Sequence, residues 1–225
     1  MTERGIGQRY DEATRSFIDF ARSLSDDDWA TTVPCTPLWT ARDVLSHASG
    51  VPDDGLAGRI DGAATEPWTA SQVERNAGFT VEELLERWEG QYELFGAAIE
   101  SMGEERPPYD CHSHEHDIRQ ALGRPGNRTS AIIADAVPSM LANFADIPVS
   151  IDVTLDDGVT ARTGRRDAAA SVRLSTTRFE IFRSVLGRRT SDQVRALDWT
   201  GHPAAIDAVV GAWFSFGPSE TSIDE

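Results

Sequence analysis

The chain has 225 residues, 40% of them hydrophobic and six of them Trp, enough to bury a core as one large domain or as a main domain with a smaller one. Its 37 acidic residues against 21 basic ones leave a net charge of −16, which repels phosphate backbones and argues against nucleic acid or an anionic membrane as partner. Every basic residue is Arg, so no lysine is present to form a Schiff base. Cys35 and Cys111 are the only cysteines and lack CxxC spacing, which fits a reducing cytoplasm. The opening MTERGIGQRYDEATRSF has no apolar signal core, and no stretch approaches the roughly 20 apolar residues that span a bilayer, so a soluble cytoplasmic protein is expected.

Phe17, Ile18, Phe20, Ala21 and Leu24 recur at helical spacing over 11–24, and the acidic SDDDW ends this first helix. TTVPCTPLWT reads as a loop, because two prolines block regular strand pairing. A second helix opens at Trp39 or Thr40, with Val44, His47, Ala48 and Val51 on one face while Arg42 and Ser46 point elsewhere. A polar linker, GAATEPWTAS, leads to a capping box at Thr80 and Glu83, which starts a long amphipathic helix carrying Leu84, Leu85, Trp88, Tyr92, Phe95 and Ile99. ERPP then breaks the chain before a histidine-rich helix that stops at Gly123, with Pro125 two residues on. Four such helices predict an antiparallel bundle.

A fifth apolar segment, SAIIADAVPSMLANFADIP, reads as helical with an interruption at Pro138. The period then changes to two: Val149, Ile151, Val153 and Leu155 alternate with polar residues, and DDG turns between two strands. ASVRLST adds a strand, TTRFEIFRSVLGRR a helix with Phe179, Phe182, Val185 and Leu186 inward, and AIDAVVGAWF a last apolar helix. The expected class is α+β, with a helical bundle over 1–145 and a smaller α/β domain over 146–225.

YDCHSHEHDIRQALG holds three of the five histidines. Residues four apart stack on one helix face, which pairs Asp110 with His114 and His112 with His116. Ile118, Ala121 and Leu122 share the side of the first pair, whereas Arg119, Gln120 and Gly123 follow the second. Asp110 and His114 are therefore expected inward, and His112, His116 and Arg119 outward. A carboxylate and an imidazole so spaced can chelate one divalent ion, with His47 as third donor and a position left open, as a catalytic site requires. Asp117 is then placed to hold the other ring nitrogen of a ligand. The residues leave further readings open: His47 as a hydrogen-bonded core histidine, Asp110 as a helix N-cap, and His112 with His116 as a rival chelate. Cys111 reads as a buried core thiol, Cys35 as a loop residue before the second helix, and His202 as a turn residue.

PCTPLWTARDVLSHASG resembles the opening, and HEHDIRQALGRPG a later motif, of mycothiol-dependent maleylpyruvate isomerase-like proteins in the DinB/YfiT-like superfamily. RFEIFRSVLGRRTSDQVRALDWTG is similar to the C-terminal part of many such chains. The resemblance implies a metal-binding DinB-like four-helix bundle followed by a smaller α/β domain. It implies a divalent metal, commonly zinc, held by a histidine of the second helix and by an acidic residue and a histidine four apart on a later one. His47 and His114 match the two histidines, and Asp110 stands where the isomerase pattern has Glu, one methylene shorter. The implied activity is that of a metal-dependent enzyme using a low-molecular-weight thiol, mycothiol, to isomerise or conjugate a small electrophile. Reversible thiolate addition to a conjugated double bond permits rotation before elimination, and neither cysteine is then required. A non-enzymatic metal-binding or regulatory protein of the superfamily, or a thiol-S-transferase in detoxification, are the alternatives.

Overall fold

The computed structural model describes residues 4–225, which form two compact units, one ending at Gly126 and the other spanning Asn127–Glu225. The first is helical. α1 (Ile6–Ala21) buries Tyr10, Ala13, Phe17, Ile18, Phe20 and Ala21, and the short α2 (Asp26–Trp29) follows behind a Ser25 cap. β1 (Thr32–Val33) and β2 (Thr36–Thr40) pair antiparallel where a loop was expected. Both prolines are tolerated, since Pro34 lies in the turn and Pro37 in a two-stranded ribbon in which each strand is an edge and a missing N–H costs little.

α3 (Ala41–Leu56) starts at Thr40, whose hydroxyl accepts from the Asp43 N–H while Asp43 accepts from the Thr40 N–H. The segment read as a polar linker contains a helix, α4 (Glu66–Asn76), opened by Pro67. Its inward residues, Gln72 and Asn76, are polar, so hydropathy gave no sign of it. The long helix expected after Thr80 is two, α5 (Val81–Glu89) and α6 (Tyr92–Met102), parted at Gly90 and Gln91. α7 (Arg106–Ala121) carries the histidines and ends as expected, because Gly123 takes a positive φ of 60° that lets the Arg124 N–H return to the Arg119 carbonyl at 2.9 Å.

α1 packs on α6 and α7, and α3 on α4, α5, α6 and α7. α7 therefore has a neighbour on each side, and Tyr109, Ile118 and every residue from Cys111 to Asp117 are buried. The outward turn expected for His112 and His116 is not found, since both are at most 3% exposed. Apolar periodicity failed there because α7 is packed between α1 and α3, and the buried Glu115 of its second polar stripe finds partners inside that packing, Arg119 on α7 itself and Ser16 on α1. Glu115 accepts from Ser16 of α1 at 2.9 Å and from Arg119 at 2.7 Å, with His112 Nδ1 at 3.5 Å.

The second unit starts with α8 (Ala131–Ala142), which continues through Pro138 and packs on α9 (Arg178–Val185). The sequence boundary at 145/146 lies beyond α8, at the change of hydrophobic period, and marks the start of the sheet rather than of the compact unit. β3 (Ser150–Leu155), β4 (Thr160–Gly164), β5 (Ser171–Thr176) and β6 (Asp198–Gly201) form one sheet in the order β4-β3-β5-β6, with β3 and β5 parallel and the outer pairs antiparallel. Ile151, Val153, Leu155, Val172 and Leu174 point to the core. α10 (Ser191–Arg195) and α11 (Pro203–Val210) complete the unit, with His202 as the N-cap of α11. Phe179, Phe182 and Val185 are buried as expected, while Leu186, also expected inward, caps α9 and is only half-buried; an ion pair between Arg183 and Glu225 is buried with them. Among the described residues no helix is long and apolar enough to cross a membrane.

Candidate metal centre

His47 projects from the middle of α3, and Asp110 and His114 from successive turns of α7. Both imidazoles turn Nε2 toward one carboxylate. His47 Nε2 lies 3.7 Å from Asp110 Oδ2 and His114 Nε2 lies 3.4 Å from Asp110 Oδ1, with the two rings edge to face at 4.9 Å. One donor atom from each residue falls within 4.8 Å of the others. Donors bound at about 2.05 Å around one tetrahedral ion stand roughly 3.3 Å apart, so a small movement of the side chains closes the set on a cation. The histidine side chains are 4% and 7% exposed and that of Asp110 is 43% exposed, which leaves the carboxylate side of the cluster open to an incoming molecule.

Each histidine is held at its other nitrogen. Asp117, fully buried, places Oδ2 3.0 Å from His114 Nδ1. His47 Nδ1 meets Gln72 Oε1 at 2.6 Å, a partner that hydropathy does not reveal because the inward residues of α4 are polar. Trp39 and Trp68 flank the His47 ring at 5.5 and 6.1 Å. The alternative reading of Asp110 as an N-cap does not hold, because α7 begins four residues earlier, at Arg106. Arg119, expected outward, is mostly buried, tied to Glu115 with its guanidinium 3.9 Å from the centroid of the Phe20 ring.

The electrostatics suit a positive species. Burial opposes the charge on Asp110, yet the His114 imidazole beside it outweighs this and holds the carboxyl well below the usual range. Burial also opposes the charge on His114, but Asp110 and then Asp117 more than offset it and lift its pKa to about 9. A histidine whose folded pKa lies above its unfolded value of about 6.5 stabilises the fold fully below that value and loses the contribution as pH rises through the folded one. Chelator-treated protein is therefore expected to lose thermal stability between about pH 7 and 9.5, and His114→Gln to lack that slope; melting temperatures across the range check both.

Residues 10–111 match the model of the mycothiol maleylpyruvate isomerase N-terminal domain, a span that includes His47 and Asp110 and ends before His114. Comparison with curated proteins and with solved structures gives no match.

Proposed function

We propose, from the match of residues 10–111 to the model of the mycothiol maleylpyruvate isomerase N-terminal domain, that the chain belongs to that family and is a metal-dependent enzyme in which a low-molecular-weight thiol of the mycothiol type isomerises or conjugates a small electrophile. The observation that carries this reading is the convergence of His47, Asp110 and His114 beside a solvent-open carboxylate. We read α1, α3, the α5–α6 pair and α7 as the four arms of a DinB-like antiparallel bundle, with the site between α3 and α7.

The donor set fits a divalent metal, zinc before others: two imidazole nitrogens and one carboxylate are three ligands, which leaves a fourth position for the reacting partner. When bound, the metal supplies Lewis acidity that favours thiolate over thiol at neutral pH. The protein's own residues do the rest. His47 and His114 present Nε2, Asp110 brings the neutralising charge between them, and Asp117 fixes the His114 ring through Nδ1. Trp39 and Trp68 flank the site on the His47 side.

The nucleophilic sulfur arrives with the cosubstrate. Cys111 is buried beside Thr14, and burial pushes its thiol pKa up, so it stays protonated at neutral pH. The partners proposed are a small substrate and the thiol, in the cytoplasm, and not nucleic acid or a membrane. Elemental analysis of protein purified without chelator or affinity-column metal, followed by a panel of electrophiles assayed with and without the thiol, tests the reading. The expected result is about one divalent ion per chain and turnover only with the thiol present. Metal without turnover under any thiol condition favours the non-enzymatic reading.

A further inference from the structure

Gln72, fully buried on α4, is bonded at both ends of its amide. Its Nε2 donates to Asp54 Oδ2 at 2.9 Å, and its Oε1 lies 2.6 Å from His47 Nδ1. The orientation follows from the chemistry of Asp54. This buried carboxylate receives Arg59 Nε at 2.7 Å and Arg75 Nη2 at 2.6 Å, and a carboxylate held by two guanidiniums is an acceptor only. Gln72 must therefore turn its amino group to Asp54 and its carbonyl oxygen to His47. A carbonyl oxygen can only accept, so His47 carries a proton on Nδ1, and in the neutral ring Nε2 is left with a lone pair. That lone pair faces Asp110.

We infer that Gln72 is a positioning residue that sets the tautomer of His47, relaying the charge state of Asp54 and its two arginines into a ring whose Nε2 is free to bind a cation. Without Gln72 the ring proton is drawn to Nε2, where Asp110 accepts it, and the two would-be donors are spent on each other. The packing of α4 serves this arrangement. A Cβ at Gly50 would lie 2.9 Å from Gln72 Cβ and 3.1 Å from its Cγ, so only glycine lets α4 come close enough for the amide to reach His47. Asn76 donates to the Ser46 carbonyl at 2.8 Å, and Arg42 donates to the Asn76, Ala77 and Phe79 carbonyls, which pins the end of α4 to α3.

The inference rests on the metal reading given above, and its test separates the two. Long-range proton–nitrogen spectra of histidine-labelled, chelator-treated protein at alkaline pH report which ring nitrogen of His47 bears the proton. Nδ1–H is expected in the unaltered chain and Nε2–H in Gln72→Leu. Affinity for zinc, measured by competition with a chromophoric chelator, is expected to fall about 10–100-fold in Gln72→Leu and in Gly50→Ala, the second of which removes no polar group. An unaltered chain whose neutral His47 carries its proton on Nε2 overturns the inference whether or not either variant folds. So do variants that keep both the tautomer and the affinity. If the unaltered chain binds no metal, the metal reading fails while the spectra still decide the role of Gln72.

Discussion

Replacing His47 and His114 together by alanine is expected to lower the affinity for zinc by about four orders of magnitude while leaving the helix content unchanged. Structural zinc sites bind with about 10–16 kcal/mol over four ligands, or roughly 3 kcal/mol per donor, and two donors lost at about 1.4 kcal/mol per tenfold give that factor. The fold should survive. The two rings lie at the cluster rather than in the apolar core formed by Tyr10, Phe17, Leu45, Trp88 and Ile118, and Asp110 keeps an exposed side through which water can solvate it. Chelator competition and far-ultraviolet circular dichroism on the same samples check both halves. An affinity equal to that of the unaltered chain would show that these three side chains converge for some other reason, and the proposed chemistry would go with it.

Glu115→Ala should cost about 3–5 kcal/mol of stability, because it removes the fully buried carboxylate that pairs with the largely buried Arg119 guanidinium. Glu115 is fully buried and accepts from Ser16 across the α1–α7 contact, so the loss also loosens the rotation of α7 that aims Asp110 and His114 at His47. Urea unfolding is expected to show a lower midpoint with an unchanged slope. The deficit should shrink when Arg119→Leu is added, since the second substitution takes away the charge that the first abandons. The pH dependence has the opposite sign to that of His114. Burial acts against the Glu115 charge, but His112 and Arg119 outweigh it and set its pKa at about 2. Its contribution is present above the unfolded value of about 4.3 and is lost as pH falls toward 2. An unfolding free energy for Glu115→Ala within about 0.5 kcal/mol of that of the unaltered chain would show the cluster to be solvated rather than structural.

Much of this was legible in the residues. The capping pairs at Thr40 and Thr80, the stop at Gly123 and the alternation from Val149 to Leu155 are short-range effects, in which each signal lies within a few positions of what it controls. His47 on an apolar stripe and Asp110 four before His114 were visible for the same reason, since helical periodicity fixes which side chains share a face. The division of the Thr80–Ile99 stretch into two helices was not, because the pattern of apolar residues continues unbroken across Gly90 and Gln91.

What the chain determined by itself was therefore the helices with an apolar stripe, the alternating strands of the second unit and the spacing of the donors; what only the tertiary structure decided was α4, the β1–β2 ribbon and the surroundings of those donors. A helix packed between α1 and α3 buries two polar faces at once, so His112 and His116 went inside, against a periodicity that assumes one wet side. Gln72 reached His47 from 25 residues along the chain and joined it to Asp54, on α3 like His47 itself, through hydrogen bonds that no local pattern encodes. A polar side chain carries no hydropathy signal of burial. Its place is set by partners brought close only when the helices assemble, and the free energy of its hydrogen bonds exists only in that assembly.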